Sequence, residues 1–280
     1  MADGGEGTAE ALRASLGGEW RAASVSDPFG RPVEAHFALL PDRRAVVEAA
    51  AAIGLAGLGG DELDPMRASS RGLGELIVAA QDAGASGLVV GLGDSATVDG
   101  GAGLREVVGA VPAGTLVACD VANPLLGPRG AARAFGPQKG ASRAQVEELE
   151  RRLASDSALE SYADLPGAGA AGGLGAALAF LGARLVPGSE LVAETIGLRE
   201  RLRGAALVVT GEGTVDAGSR EGKVTGLVVS LAAEAGVRCV VFGGRVEARL
   251  PPAETVALSG DPDRAEADLE ELGERLGREA

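Results

Sequence analysis

The run from residue 87 to residue 108 constrains the fold more than any other part of the chain. Residues 87–92 are apolar and predict a buried parallel strand. Residues 91–103 form a glycine-rich loop, GLGDSATVDGGAG, and a helical pattern follows from residue 104. Open α/β sheets bind their ligands in such strand-to-helix loops. The run therefore predicts an α/β fold with a ligand site at this loop.

Three interpretations compete for the 91–103 loop. A flexible connection seldom concentrates five glycines, two hydroxyls and two carboxylates. Gly91-x-Gly93-x-x-Ala96 fits a dinucleotide fingerprint, but that motif needs a helix to start at once, which the later glycines oppose. A phosphoryl-transfer loop fits best, because its N–H groups, hydroxyls and carboxylates are groups that meet phosphate and Mg²⁺. The side chains concerned are those of Asp94, Ser95, Thr97 and Asp99.

A second βαβ pattern lies in the C-terminal part of the chain. Residues 205–210 and 238–242 predict strands, and residues 224–235 predict the helix between them. The connection over residues 211–223 is long for such a unit, and long connections usually carry a function. Its glycine spacing differs from that of a Walker A loop.

Charge and lysine usage restrict the ligands. The net charge of −14 argues against nucleic-acid partners and against anionic membrane surfaces. An anionic substrate therefore needs locally placed cations. Arginine supplies nearly all positive charge, and the two lysines, Lys139 and Lys223, both lie in glycine-rich loops. A lysine ammonium acts as a point charge on phosphate, whereas arginine is a planar fork.

The remaining composition predicts a cytoplasmic protein without a membrane partner. Cys119 and Cys239 lie in apolar strand-like runs and indicate buried thiols in a reducing compartment. The single histidine, His36, argues against histidine-rich metal sites. The N-terminus is acidic and glycine-rich, unlike a signal peptide. The apolar run over residues 174–185 is too short for a transmembrane helix.

Local patterns predict further elements. Thr8 is the expected N-cap of a helix over residues 9–16, and Ser142 with Gln145 predicts a capping box. The G-x-G-x-x-G match over residues 167–172 follows no strand, which favours tight packing over ligand binding. The other expected elements are a hairpin over residues 20–40, helices over 45–52 and 72–83, and a charged helix from residue 263.

The motifs, taken in order, resemble the type I glycerate kinase family. Each motif alone is weak, but the ordered set is specific and covers residues 1 to about 245. The matching segments are residues 3–8, 95–103, 119–125, 135–141, 169–175 and 211–223.

The resemblance implies an ATP-dependent, Mg²⁺-assisted phosphorylation of D-glycerate, typically to 2-phosphoglycerate. It also implies two α/β domains with the site in the cleft between them. We expect residues 1–21 and 187–280 to form a discontinuous Rossmann- or flavodoxin-like domain without its first βα unit. Residues 22–186 would then form an inserted α/β domain.

The resemblance also suggests roles for individual residues. Asp99 would accept the proton of the substrate hydroxyl or hold Mg²⁺, although a helix cap is an equal alternative. Asp216 and Lys223 complete the expected catalytic set, and Asp216 and Glu212 are the preferred metal carboxylates. Lys139 and Lys223 would contact the substrate carboxylate and the ATP phosphates, in an order left open. The expected substrate- and phosphate-binding residues are Asp3, Glu6, Ser95, Thr97, Gly100, Gly101, Asn123, Gln138 and Lys139.

The chain departs from the family pattern at its start. It lacks an N-terminal strand and a lysine-containing Asp-Ser-Phe-Lys-Gly-Ser loop, so we expect Met1 to be an internal methionine of a longer gene product. The alternative is a catalytically inactive relative that binds nucleotide or a partner and covers its open sheet edge as a homodimer. A third reading is an NAD-linked dehydrogenase with Asp120 as the ribose acid, although this acid lies farther along than the fingerprint expects.

Overall fold

A computed structural model describes residue 2, residues 4–220 and residues 224–279. The chain divides into two compact units, Met1–Val192 and Ala193–Ala280. Each unit has its own sheet. None of the helices in the described ranges has the length and apolar character to cross a membrane.

The N-terminal unit is built on a six-stranded mixed sheet whose strands are ordered as in the sequence. The first three strands pair antiparallel, and the third to the sixth pair in parallel. The carboxyl ends of four strands therefore meet at one edge of the sheet, where ligands bind in open α/β folds. The strands are β1 (Glu19–Ser26), β2 (Pro32–Leu39), β3 (Arg44–Glu48), β4 (Gly87–Gly91), β5 (Leu116–Ala118) and β6 (Arg184–Val186).

The helices of this unit cover the sheet and form a second core beside it. They are α1 (Thr8–Leu16), α2 (Ala49–Ile53), α3 (Arg71–Asp82), α4 (Ala102–Val107), α5 (Ala131–Phe135), α6 (Arg143–Ala154) and α7 (Ala170–Phe180). Leu73, Leu76 and Ile77 form a fully buried stripe of α3 within the main core. Leu149 and Leu153 of α6 pack in a separate cluster with residues of α7. A further helix, α8 (Gly188–Thr195), runs across the boundary between the units.

The C-terminal unit is a three-stranded parallel sheet with helices on both faces. Its strands are β7 (Leu207–Val215), β8 (Arg238–Val246) and β9 (Glu254–Ala257), and its helices are α9 (Leu198–Leu202), α10 (Val224–Ala235) and α11 (Ala265–Glu279). Val241 of β8 packs in one cluster with α10, and its neighbour Val240 packs in another with α11. Successive strand residues point to opposite faces, so the two helices cover opposite faces of the sheet.

Most of the predicted elements are confirmed, including the hairpin, α3, α6 and the C-terminal βαβ unit. The predicted helix over residues 45–52 is wrong, because residues 44–48 form β3 and only Ala49–Ile53 is helical. A short apolar run fits a buried strand and a buried helix equally well. The capping box is confirmed, with Ser142 N–H donating to Gln145 Oε1 at 2.8 Å.

The two compact units divide the chain at positions other than the expected domain boundaries. Helix α1 belongs to the N-terminal unit, because Glu48 at the end of β3 accepts the N–H of Ala9 at 2.8 Å, and Leu12 is fully buried. A boundary after residue 21 would also divide β1. The second boundary lies after Val192 and not after residue 186.

The start of α1 also differs from the expectation. Gly7, and not Thr8, is its N-cap residue. The hydroxyl of Thr8 donates to the carbonyl of Gly5 at 2.8 Å and accepts the N–H of Gly4 at 3.0 Å. Thr8 therefore closes the tight turn that precedes the helix.

Candidate active site

A pocket of about 300 Å³ lies at the carboxyl ends of β4 and β5 in the N-terminal unit. The loops after both strands line it, together with the turn before α1 and the start of α7. Its lining includes Gly4, Gly5, Gly93, Asp94, Ser95, Cys119, Asp120, Phe135, Gln138, Lys139, Ala170 and Ala171. This position agrees with the site predicted for the 91–103 loop.

Lys139 is the central charge of the pocket. The turn Pro137–Lys139 ends at Gly140, whose φ of +93° lets the chain reverse directly after the lysine. Only 3% of Lys139 is exposed. Its Nζ donates to Ser95 Oγ at 3.1 Å and to the carbonyl of Thr97 at 2.8 Å. Burial lowers the pKa of Lys139 to about 7, against the opposing influence of the Asp99 carboxylate.

Glycines let the backbone approach the pocket closely. A Cβ at Gly91 would lie 2.6 Å from the carbonyl oxygen of Gly4, and one at Gly93 would lie 2.5 Å from Cα of Gly5. The turn that contains Gly4 and Gly5 therefore packs in direct contact with the end of β4. At the start of α7, a Cβ at Gly172 would lie 2.0 Å from the carbonyl oxygen of Thr97. This contact supports tight packing at the 167–172 motif, although Ala170 and Ala171 of the same motif also line the pocket.

Asp99 lies in a different place from the one expected for a catalytic carboxylate. Its Oδ2 accepts the N–H and hydroxyl of Ser70 at 2.9 and 2.8 Å, and the N–H of Gly103 at 3.2 Å. Its Oδ1 accepts the N–H of Gly101 at 3.1 Å. The carboxylate thus caps α4 and ties it to the start of α3, and it lies outside the pocket lining. The helix-cap alternative agrees with this geometry.

Two neighbouring glycines expected to contact substrate serve packing. Gly100 and Gly101 adopt φ values of +62° and +67°. A Cβ on Gly101 would lie 2.3 Å from Cβ of Ala177, and one on Gly100 would lie 2.9 Å from Leu153. Both glycines lie outside the pocket lining.

Ser95 and Thr97 act on the pocket through Lys139. Ser95 lines the pocket, and its hydroxyl accepts from the ammonium. Thr97 is fully buried, and it contributes its carbonyl oxygen. Its Oγ1 has no hydrogen-bond partner among the described residues.

Of the other expected binding residues, some line the pocket and some do not. Gln138 lines the pocket beside Lys139. Asn123 does not; its Nδ2 donates to the carbonyl of Arg129 at 2.7 Å, which fastens the loop after β5. Glu6 lines a neighbouring pocket of about 240 Å³ that also contains Glu48. Asp3 lies outside the described residues.

Two carboxylates of the pocket, Asp94 and Asp120, were not among the expected substrate-binding residues, although the sequence named Asp94 as a side chain of the 91–103 loop and Asp120 as a possible ribose acid. Asp94 is exposed and adopts a φ of +57°, and its carbonyl accepts the N–H of Leu55 at 2.8 Å. Asp120 follows β5, and its Oδ1 accepts the N–H groups of Gly188 and Ser189 at 2.7 and 3.4 Å. Its position directly after a parallel strand was the available signal.

A third pocket residue, Cys119, precedes Asp120. Burial raises the pKa of its thiol, which donates to the carbonyl of Val121 at 3.2 Å. A thiol held protonated in this way is a poor nucleophile.

The expected metal carboxylates lie in the C-terminal unit. Glu212 is part of β7, and Asp216 follows this strand, where its Oδ1 accepts the N–H of Gly218 at 2.7 Å. Lys223 lies outside the described residues. Within the described ranges, no three His, Cys, Asp or Glu side chains are grouped to hold a metal. A nucleotide-bound Mg²⁺ needs only one or two protein carboxylates, and the side chains of Glu212 and Asp216 are oxygen ligands of the type that it takes.

The family profile and the similar proteins all indicate the same family, to which this chain belongs. The profile of the Glycerate kinase family matches residues 1–115 and 112–260. Glycerate 2-kinase of Escherichia coli K12 is 42% identical over 264 residues, which cover 80% of this chain and 69% of that protein. Glycerate kinase of Halalkalibacterium halodurans C-125 is 39% identical over 284 residues, covering 87% and 75% of the two chains.

A solved structure supports the same fold. The crystal structure of a candidate glycerate kinase 2 from Salmonella typhimurium LT2 matches with a TM-score of 0.82 and 33% sequence identity. The match covers 100% of this chain and 89% of the other. The predicted α/β fold class is confirmed.

Proposed function

We propose, from the membership of this chain in the glycerate kinase family, that it transfers the γ-phosphoryl group of ATP to D-glycerate and forms 2-phosphoglycerate with Mg²⁺. The enzyme is a kinase, a phosphotransferase with an alcohol group as acceptor. The observation that carries the proposal is the buried ammonium of Lys139 in a pocket at the carboxyl ends of β4 and β5.

The pocket suits a small hydroxy acid. Its volume of about 300 Å³ lies at the lower end of the range of small-molecule sites. Lys139 offers one positive charge, and Gln138 adds an amide beside it. The carboxylates of Asp94 and Asp120 are acceptors for substrate hydroxyls. Together these groups would hold a three-carbon acid in one orientation.

Phosphoryl transfer depends mainly on positioning and on electrostatic stabilisation. In this proposal Asp94 orients the attacking hydroxyl, because its exposed carboxylate accepts no hydrogen bond from the described residues. The carboxylate of Asp120 accepts the N–H of Gly188 at the start of α8, and this hydrogen bond holds its side chain in place at the pocket. Ser95 and Thr97 hold Lys139 in place.

The nucleotide is assigned to the C-terminal unit. Glu212 and Asp216 would hold the Mg²⁺ of the nucleotide, and Lys223 would contact its phosphates. A Mg²⁺ held by these two carboxylates would supply positive charge next to the transferring phosphoryl group. The two free thiols, Cys119 and Cys239, support a cytoplasmic location for this reaction.

ADP release coupled to D-glycerate tests the proposal. The full chain with ATP and Mg²⁺ should release ADP with D-glycerate and none above background with glycerol, which lacks the carboxylate. Asp94→Asn should lower kcat at least about tenfold, because asparagine also tolerates a positive φ but cannot accept a proton. Asp61→Asn, in the exposed 3-10 helix Gly60–Glu62, is the matched control and should retain full activity. Nucleotide binding without any ADP release would instead identify an inactive relative.

A further inference from the structure

Lys139 is a buried ammonium in a ligand-sized pocket, and within the described ranges no carboxylate lies within ion-pair distance of it. We propose that Lys139 binds the carboxylate of the acceptor acid, and that this carboxylate, rather than a phosphate of the nucleotide, is its counter-ion. The inference rests on the proposed function, because it names the part of the substrate that this site recognises.

The hydrogen bonds of Lys139 support a carboxylate. An ammonium has three donors, and two of them go to neutral oxygens, Ser95 Oγ and the Thr97 carbonyl. Neither oxygen neutralises the positive charge. A buried charge without a partner of opposite sign is costly. A ligand carboxylate in the pocket would supply both the third acceptor and the missing negative charge.

The other charges of the pocket favour a monoanion over a nucleotide phosphate. Asp94 and Asp120 line the pocket, and Asp99 lies close enough to influence Lys139. The described lining therefore holds one cation and two carboxylates. Several negative charges of a triphosphate would be repelled there. A hydroxy acid brings one carboxylate for Lys139 and hydroxyls that can donate to the acidic side chains.

Binding by Lys139 would also be linked to protons. Burial lowers the pKa of Lys139 to about 7, so the empty pocket is partly neutral at physiological pH. The titratable groups around it are Asp94, Asp99, Asp120 and Cys119. The thiol has a raised pKa, and no described histidine lines the pocket. Since the carboxylate needs the ammonium, binding above pH 7 must take up a proton.

Calorimetry without nucleotide tests this assignment. We would titrate the full chain with D-glycerate from pH 6 to pH 9, and with ADP as a second probe. The Kd for D-glycerate should be level below about pH 6.5 and rise about tenfold per pH unit above pH 7.5. Lys139→Met should weaken D-glycerate binding about 10- to 100-fold at pH 6 and leave the ADP affinity unchanged. Arg151→Met removes an exposed cation of the same unit and should behave as wild type.

Several results would overturn the assignment. Wild-type affinity for D-glycerate in Lys139→Met would do so, and so would a loss of ADP affinity in its place. The pH dependence of Kd is measured on the wild type and therefore needs no variant. A Kd for D-glycerate that stays level from pH 6 to pH 9 would also contradict the assignment. If Lys139-dependent D-glycerate binding occurs without ADP release from ATP, the proposed function fails and this inference stands. If the chain releases ADP but the KM for D-glycerate does not depend on Lys139, the proposed function stands and this inference fails.

Discussion

Replacing Lys139 by methionine should stabilise the empty protein in a pH-dependent way. The pKa of this lysine falls from 10.5 to about 7 on folding. Between these values the unfolded chain binds more protons than the folded chain, so stability rises with pH across this window. With about 1.4 kcal/mol per pKa unit, the wild type gains about 4 kcal/mol from this residue between pH 6 and pH 10.

The variant lacks this contribution, because methionine does not titrate. The free energy of unfolding of Lys139→Met relative to wild type should therefore fall by about 4 kcal/mol from pH 6 to pH 10. Any constant cost of the lost hydrogen bonds to Ser95 and Thr97 cancels in this comparison. Trp20, the only tryptophan, lies in β1 and makes urea denaturation by fluorescence specific to the N-terminal unit.

The matched control is Arg151→Met, because arginine stays charged over the whole range. Its difference from wild type should be the same at both pH values. If Lys139→Met also shows the same difference at pH 6 and pH 10, the lysine is not desolvated in the empty pocket. The proton-linked binding argued from its burial would then lose its basis.

Two further predictions test the packing around the pocket. Asp99→Asn should lower the free energy of unfolding by about 2–3 kcal/mol, because the charged acceptor of the Ser70, Gly101 and Gly103 donors is lost; lost turnover at an unchanged melting temperature would instead restore a catalytic role. Gly172→Ala should cost about 3 kcal/mol or more, since it combines a φ of +73° with a Cβ 2.0 Å from the carbonyl oxygen of Thr97. Gly182→Ala, which has φ +101° and open space, should cost about 1–2 kcal/mol in the same denaturation assay, and equal losses would contradict the contact.

Local sequence patterns were sufficient for most of the fold. The apolar stripe of α3, the capping box of α6 and the C-terminal βαβ unit depend on residues close together in the chain. The division of residues 44–53 into β3 and α2 does not, because pairing of β3 with β4 decides it. The packing of α1 in the N-terminal unit also depends on a distant contact, since Glu48 accepts from Ala9, which is 39 positions away.

The candidate site was predictable where the amino-acid composition or the loop pattern of the sequence is unusual. The scarcity of lysine singled out Lys139, and the strand-to-helix loop located the pocket. The role of Asp99 was ambiguous, because Ser70, its main partner, is 29 positions away. The sequence placed Asp94 and Asp99 in the same candidate loop, and no motif showed which of the two carboxylates lines the pocket. The place of Asp94 in the pocket becomes visible only when the loop after β4 is folded.

Phosphorus NMR of the reaction products tests the central claim most directly. The purified chain would be incubated with ATP, Mg²⁺ and D-glycerate. We predict equal amounts of ADP and a new phosphomonoester whose coupling to a single proton identifies phosphate on C2 of glycerate. A reaction that yields no glycerate phosphomonoester, with or without ADP formation, would contradict the proposed function.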